Sequence, residues 1–386
     1  MSTHTRQALF LLVAVMAGSV VGWVWGAQAE VLKPLGQIFV NLLLTAVVPL
    51  VFCSIASAIA EMQYWQRLRR VTMWMLCAFA VTGVIASCVM LLGVVLVPPA
   101  QGLQWELAGA AVAPAASQST GELLTKMLTV SSFADLFSHK NMLAIIVFAA
   151  LFGAAVASSG EAGAPVRNGL RSACAVLMQL LALIMKFAPI GLFAWFAWLT
   201  GVFGAELFTT LARAMALYYP LALAYAVVAF TGYAWLAGRY EGVRRFWRYI
   251  TTPALVSFAT GSSMATLPIN LRAAQQIGVP KDIRELVLPL GTTIHMDGSC
   301  LAAILKIAVL FGVFGQNMLE PTTLLTAVGV ALLTGMVVSG IPGGGLVGEV
   351  LIISLYGFPP EALPLIHLVG NLVDPLATSI NACGDT

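Results

Sequence analysis

Charged residues are scarce in this chain of 386 residues, where they make up 9% of the sequence while hydrophobic residues make up 60%. The mean hydropathy is +0.94, and soluble domains usually carry about 25% charged residues. This shortage excludes a soluble globular protein. We therefore predict a polytopic protein whose main partner is the lipid bilayer, with no nucleic-acid partner.

Paired cysteines are also lacking. The six cysteines lie mostly inside apolar runs, and no two of them form a CxxC motif. This pattern argues against disulfides and thiolate metal sites, and it is typical of small apolar filler residues. We expect no cleavable signal at the N-terminus, because Arg6 leads directly into a long apolar run that we interpret as the first span.

Six long apolar runs fill the first two thirds of the chain, and each is long enough for a helix of about 20 residues that crosses a membrane. They cover residues of about 8–28, 35–60, 71–98, 141–159, 172–204 and 208–238. Arginines concentrate in alternate loops. The positive-inside rule therefore places the N-terminus in the cytoplasm, with the chain crossing the plasma (inner) membrane several times.

The last third has apolar segments that are interrupted by Gly, Ser and Pro, in SFATGSSMATLP (257–268) and VVSGIPGGGLV (337–347). Irregular backbone at membrane depth is tolerated only inside protein or beside a cavity. Two such breaks are typical of transporters with inverted repeats and a central site. We predict a re-entrant hairpin on each side of the membrane, separated by a straight helix over 282–314.

The closing segment VDPLATSINACGDT carries Asp374, Thr378, Asn381 and Asp385 at spacings of four, three and four residues. This spacing puts all four side chains on one face of a helix. Ionisable groups at membrane depth are costly and usually mark the path of an ion or a substrate. The pattern therefore indicates a transporter.

These segments, with the motif HMDGS (295–299), the tip SGIPGGG (339–345) and VPLVFCSIA in the second span, occur in a characteristic order. Together they resemble the glutamate/neutral amino acid transporter family, also called dicarboxylate/amino acid:cation symporters, over nearly the whole chain. Members of this family usually continue past the position of Asp385, so we expect the tail to be truncated here.

The resemblance implies an all-α membrane protein with eight transmembrane helices and two re-entrant helical hairpins, arranged as inverted repeats. It also implies a homotrimer that works by an elevator mechanism, in which a transport domain slides along a fixed scaffold. The implied scaffold covers 1–70 and 141–207, the external loop 99–140, and the transport domain 71–98 and 208–386, with hairpins at about 253–271 and 321–357.

For the substrate site, the resemblance assigns Asp374 as the partner of a substrate ammonium, because a buried carboxylate without a partner is costly. The substrate carboxylate would meet Ser262, Ser263 and Asn381, where hydroxyls and a helix start offer hydrogen-bond donors. Ser299 and Thr378 would lie near its side chain. The implied external gate is Ser339, Gly340, Pro342, Gly343, Gly344 and Gly345, with Gly340 and Gly343 also lining the substrate; tight helix packing is the alternative role for these glycines.

The resemblance further implies two sodium ions and no organic cofactor. One ion would bind Asp385 and the carbonyls of Gly291, His295 and Asn381, since hard cations prefer oxygen ligands. Asp297 is a further expected ligand. The second site would use backbone carbonyls near Thr293, at Met296 and within 335–338. The expected ligands in that range are Gly335, Met336 and Val338.

Ala377 is the first departure from the family, whose acidic-substrate members have arginine at this position. A buried carboxylate that lacks its partner costs about 3–5 kcal/mol. We therefore expect a small neutral amino acid such as alanine, serine or threonine. Lys306 and His367 are alternative cations, although lysines near membrane ends commonly snorkel. The alternative function is a dicarboxylate or acidic amino acid symporter with sodium or proton coupling; an anion channel is the alternative of another class, and no enzyme motif is apparent.

His295 is the second departure, since the family motif has asparagine there. We expect a third sodium site to be lost or altered, because the aligned third-span residues Leu76 and Cys77 also lack good oxygen ligands. Either His295 or Asp297 carries a proton instead, since histidine titrates near neutral pH, or His295 is a neutral packed side chain. Glu349 is interpreted as structural.

Overall fold

The computed structural model describes residues 3–60, 69–100, 125, 128–138, 141–338 and 344–386, and most of these are helical. Away from its ends, a helix pairs its backbone polar groups internally, as an apolar chain in lipid requires. The α-helices are α1 (Thr3–Trp25), α2 (Lys33–Ala60), α3 (Arg69–Leu96), α4 (Phe133–Leu136), α5 (Met142–Ser158), α6 (Ala164–Lys186), α7 (Ala188–Phe203), α8 (Ala205–Tyr249), α9 (Thr251–Thr260), α10 (Ser263–Ile277), α11 (Lys281–Ile294), α12 (Asp297–Val313), α13 (Pro321–Leu332), α14 (Gly344–Tyr356) and α15 (Leu363–Gly384).

Six helical stretches in the described part of the chain are long and apolar enough to cross a membrane. They are Val13–Ala60, Met73–Leu96, Gly160–Lys186, Glu206–Tyr249, Ile283–Val313 and Pro360–Gly384. Four shorter apolar helices accompany them, at Ala144–Ser158, Ala188–Val202, Pro321–Gly335 and Gly345–Tyr356. The prediction of a multi-pass membrane protein is therefore confirmed, whereas the count of eight spans stays a prediction.

The helices pack in two groups. In the first, α1 lies along α7, and α2 contacts α5, α6 and α7; in the second, α12 contacts α3, α8, α13 and α15. Small residues bring α1 and α7 together, because a Cβ atom on Gly18 or Gly22 would lie 2.2 Å or 2.1 Å from a carbonyl oxygen of α7. Such close backbone approach is typical of helix packing in membranes.

The apolar run 172–204 forms two helices rather than the single span expected from the sequence. Helix α6 ends at Lys186 and α7 begins at Ala188. Pro189 has no N–H to donate to Met185, so the helical ladder cannot continue unbroken through this point. The backbone N–H of Phe187 bonds instead to the carbonyl of Ile184 at 2.9 Å.

The prediction of a straight helix over 282–314 is wrong. Helix α11 ends at Ile294, α12 begins at Asp297, and His295 lies between them with extended dihedrals (φ −110°, ψ 103°). The first N–H groups of the new helix have no partner inside it. They are satisfied from α15, where Asn381 Oδ1 accepts from Gly298 N at 2.7 Å. The interruption thus depends on a partner 83 residues away.

The first interrupted segment is a pair of short helices, α9 and α10, that contact each other. Gly261 ends α9 with a left-handed backbone (φ +59°), a conformation that favours glycine. Ser262 then starts α10, where its Oγ accepts from Ala265 N at 3.2 Å. These bounds extend beyond the expected 253–271.

The second interrupted segment consists of α13, a π-helical turn at Leu333–Val338, and α14. Single π turns inside helices frequently occur at functional sites. Residues 339–343 lie outside the described part of the chain. The predicted segment 321–357 matches the outer bounds of α13 and α14.

We predict that Gly22→Ala destabilises the protein, because the new methyl group would overlap the carbonyl oxygen of Ala197, 2.1 Å away. Overpacking of this kind typically costs about 1–3 kcal/mol. Gly169→Ala is the matched control, since a Cβ on Gly169 meets nothing within 4 Å. Thermal unfolding in detergent measures both variants, and equal unfolding temperatures for the two would contradict the packing of α1 on α7.

Candidate functional site

Two carboxylates meet one imidazole at the interruption between α11 and α12. His295 Nδ1 lies 3.1 Å from Asp385 Oδ1, and His295 Nε2 lies 3.4 Å from Asp297 Oδ1. Tyr225 donates its hydroxyl to Asp297 Oδ2 at 2.6 Å, and Thr82 donates to Asp297 Oδ1 at 3.0 Å. The acidic cluster therefore combines residues from α3, α8 and α12 with His295 at the junction of α11 and α12 and Asp385 at the end of α15.

The acidic cluster is buried, with His295, Asp297 and Asp385 exposed by 3%, 1% and 6%. A buried carboxylate is costly unless it is paired. One imidazole cannot balance two ionised carboxylates, and Asp385 Oδ2 has no hydrogen-bond partner among the described residues. A free, buried, anionic oxygen of this kind suits a hard cation such as sodium.

Of the predicted sodium ligands, Gly291 and His295 lie beside Asp385, and Gly335 lies beside Met296. A Cβ on Gly291 would lie 2.5 Å from Asp385 Oδ1, so glycine permits the approach of the carboxylate to α11. At the expected second site, a Cβ on Gly335 would lie 3.2 Å from the Met296 carbonyl oxygen. The Thr293 hydroxyl donates to the Leu290 carbonyl at 2.8 Å. Met336 and Val338 belong to the same π-helical turn as Gly335.

Sequence reasoning missed Thr82 and Tyr225 as parts of the acidic cluster, and the alignment of Leu76 and Cys77 with the third-span hydroxyls of the family stays a prediction. Thr82 Oγ1 lies 2.9 Å from His295 Nε2, while Cys77 is exposed. One weak signal in the sequence pointed to Thr82, because a hydroxyl group inside an apolar span needs a hydrogen-bond partner. The sequence alone does not say which turn of α3 faces the cluster.

The predicted substrate residues meet where the α9–α10 turn approaches α15. The Asp374 side chain is exposed at the surface of the chain. A Cβ on Gly261 would lie 3.5 Å from Asp374 Oδ2. Thr378 donates to Asp374 Oδ1 at 3.4 Å. Ser262 and Ser263 follow Gly261 at the start of α10.

Asn381, predicted to bind both substrate and sodium, instead connects α15 to the start of α12 in this structure. Its Oδ1 accepts from Ser299 N at 3.3 Å, and its Nδ2 donates to Ser299 Oγ at 3.1 Å. Ala377 is buried against Gly298, where a Cβ would lie 2.2 Å from the Ala377 carbonyl oxygen. Asn381 and Ala377 thus hold α12 against α15, and their roles toward ligands stay predictions.

Most of the predicted gate cannot be placed. Ser339, Gly340, Pro342 and Gly343 lie outside the described residues. Gly344 is the first residue of α14, and Gly345 is exposed beside it.

Comparison with known proteins assigns the family. The model of the sodium:dicarboxylate symporter family matches residues 8–386. The chain belongs to this family. The family predicted from the motifs is therefore confirmed, and this symporter is a transporter rather than an enzyme.

The curated relatives agree with this assignment. The chain is 29% identical over 385 residues to "C4-dicarboxylate transport protein 1" of Bradyrhizobium sp. (strain ORS 278), covering 97% of this chain and 86% of the relative. It is 30% identical over 393 residues to "C4-dicarboxylate transport protein 3" of Ralstonia nicotianae, covering 95% and 86%. It is 29% identical over 391 residues to "C4-dicarboxylate transport protein" of Paraburkholderia phymatum, covering 96% and 91%.

We predict that Thr82→Val lowers the stability of this symporter, because it removes the hydroxyl that donates to Asp297. Loss of a hydrogen bond to a charged group costs about 1.5–3 kcal/mol. Cys77→Ala is the control, since Cys77 is an exposed residue of the same helix. Thermal unfolding in detergent reports both changes. Wild-type stability of Thr82→Val would argue against the arrangement of the acidic cluster.

Proposed function

We propose that this symporter couples the uptake of a small dicarboxylate to the entry of sodium ions across the plasma membrane. The match to the sodium:dicarboxylate symporter family over residues 8–386 carries this proposal. The printed names of the relatives, which are C4-dicarboxylate transport proteins, support a four-carbon dicarboxylate as the substrate class.

This proposal departs from the neutral amino acid expected from Ala377. The comparisons favour the dicarboxylate alternative over that expectation. Donors for one substrate carboxylate exist at the start of α10, where Ser262 and Ser263 lie beside Gly261. The first N–H groups of a helix have no partner inside the helix and form a natural anion site. Position 377 is alanine, so the second carboxylate of the substrate needs a cation from another residue.

The acidic cluster is the proposed coupling site. Sodium would bind Asp385 through its unpartnered Oδ2, together with carbonyl oxygens of α11 and α15 near Gly291 and Asn381. A second ion would bind backbone near Thr293, Met296 and the π-helical turn. His295 fills the space between Asp297 and Asp385, so a third ion at Asp297 is not part of the proposal.

The proposed transport cycle follows the elevator mechanism that the family resemblance implies. Helices α9–α10 and α13–α14 would be the two re-entrant hairpins of an eight-span protomer, with α14 bordering the external gate. The group formed by α3 and α8–α15 would slide against α1, α2 and α5–α7 within a homotrimer. The N-terminus would face the cytoplasm.

Uptake into proteoliposomes tests the proposed function. With an inward sodium gradient, labelled succinate is expected to accumulate above its equilibrium level and to saturate with concentration. An equal potassium gradient is expected to give only equilibration. Accumulation that is independent of sodium, or no saturable succinate uptake, would refute the proposal.

A small neutral amino acid is the second candidate substrate, and Asp374 favours it. This accessible acid faces the α9–α10 turn, where a substrate ammonium would supply its counter-charge. A dicarboxylate has no ammonium and would instead be repelled by an ionised Asp374. The two candidates therefore make opposite predictions for this side chain.

We predict that Asp374→Asn leaves succinate affinity unchanged or increases it, because the change removes a negative charge from the site. If alanine is the substrate, the same change is expected to weaken its binding more than tenfold, since a charge-assisted pair is worth about 1.5–3 kcal/mol. Asp135→Asn, a change of an exposed acid in α4, is the matched control. Binding titrations with succinate and alanine in saturating sodium distinguish the two results.

A further inference from the structure

A second buried group of charges lies outside the acidic cluster, formed by Lys306, Glu349 and His367. Lys306 Nζ donates to Glu349 Oε1 at 2.7 Å, and His367 Nδ1 lies 2.8 Å from Glu349 Oε2. The three side chains come from α12, α14 and α15. We call this group the lysine cluster.

A lysine near a membrane end commonly snorkels toward the surface, but the Lys306 side chain is buried. It is only 8% exposed, and its carboxylate partner Glu349 is 2% exposed. Keeping an ion pair away from water carries a desolvation penalty that apolar residues of similar size would avoid. An apolar packing role alone therefore does not explain these residue types.

The lysine cluster presses against the helix that carries the substrate residues. A Cβ on Gly370 of α15 would lie 2.8 Å from Lys306 Nζ and 2.3 Å from Glu349 Oε1. Gly370 precedes Asp374 by one helical turn, so both positions lie on the same face of α15.

The cluster therefore places a cation one helical turn from Asp374, in a chain that has alanine at position 377. Helices α12 and α15 run antiparallel, because Gly298 abuts Ala377 while Lys306 abuts Gly370. Along α15, Lys306 thus lies four residues from the level of Asp374 and seven from that of Ala377.

We propose that Lys306 is a specificity-determining residue, whose ammonium charge makes the substrate site favour a dianionic substrate over a zwitterion. Glu349 and His367 position this charge against α15. The inference rests on the proposed transport of dicarboxylates, and it names the cation that such a substrate requires.

Two nearly isosteric substitutions test the proposal through the sign of their effects. Lys306→Met removes the positive charge, and we expect it to weaken succinate binding roughly tenfold through the lost Coulomb attraction. Glu349→Gln removes the balancing negative charge, and we expect it to strengthen succinate binding. Lys186→Met, an equivalent change of an exposed lysine on α6, is the control and is expected to have no effect.

Binding titrations of succinate to the purified full chain in saturating sodium give the readout. Opposite shifts for Lys306→Met and Glu349→Gln support the proposal, because a purely structural ion pair would weaken binding in both variants. Weaker binding in both variants, or no change in either, overturns it while the proposed function stands. If Lys306→Met does not fold, the direction of the Glu349→Gln shift decides. Failure of the wild-type protein to bind succinate would refute the proposed function, and this inference with it.

Discussion

Asp297 and Asp385 are carboxylates held inside an apolar helical protein with a single imidazole, His295, between them. The cost of burying these charges explains much of the surrounding structure. The helix between 281 and 313 is interrupted so that His295 reaches both acids, and Tyr225 and Thr82 turn their hydroxyls toward Asp297. These partners do not balance the negative charge of both carboxylates, and the remaining negative charge favours the binding of a cation.

The proposed coupling between ion and substrate depends on the position of these groups along one helix and its end. Asp374 lies on α15 and Asp385 directly follows its last residue, Gly384, so the two acids are eleven residues, or about 16 Å at 1.5 Å per residue, apart. Asn381 lies between them and fixes the start of α12. A cation bound at Asp385 would therefore act on the helix that carries the proposed substrate residue Asp374, and on the junction between that helix and α12.

The sequence predicted those parts of the protein that depend on local pattern. Apolar run length gave most of the helices, and the glycine and serine break gave the α9–α10 turn at Gly261. The order of the motifs gave the family. The sequence did not predict the break at His295, because the N–H groups at the start of α12 are satisfied by Asn381 from a helix that is distant in sequence. It likewise missed Thr82, whose role depends on the rotation of α3, and the burial of Lys306, whose partner Glu349 comes from α14.

The central claim is that the unpartnered oxygen of Asp385 belongs to a sodium site. The most direct measurement is the thermal unfolding temperature of purified protein titrated with sodium chloride, with potassium chloride at equal ionic strength as the reference. A ligand that binds only the folded state raises this temperature with its concentration. We expect sodium to raise it in the wild-type protein above the potassium reference, and this rise to be lost in Asp385→Asn. Equal rises in the two salts, or an undiminished sodium effect in Asp385→Asn, would contradict the account.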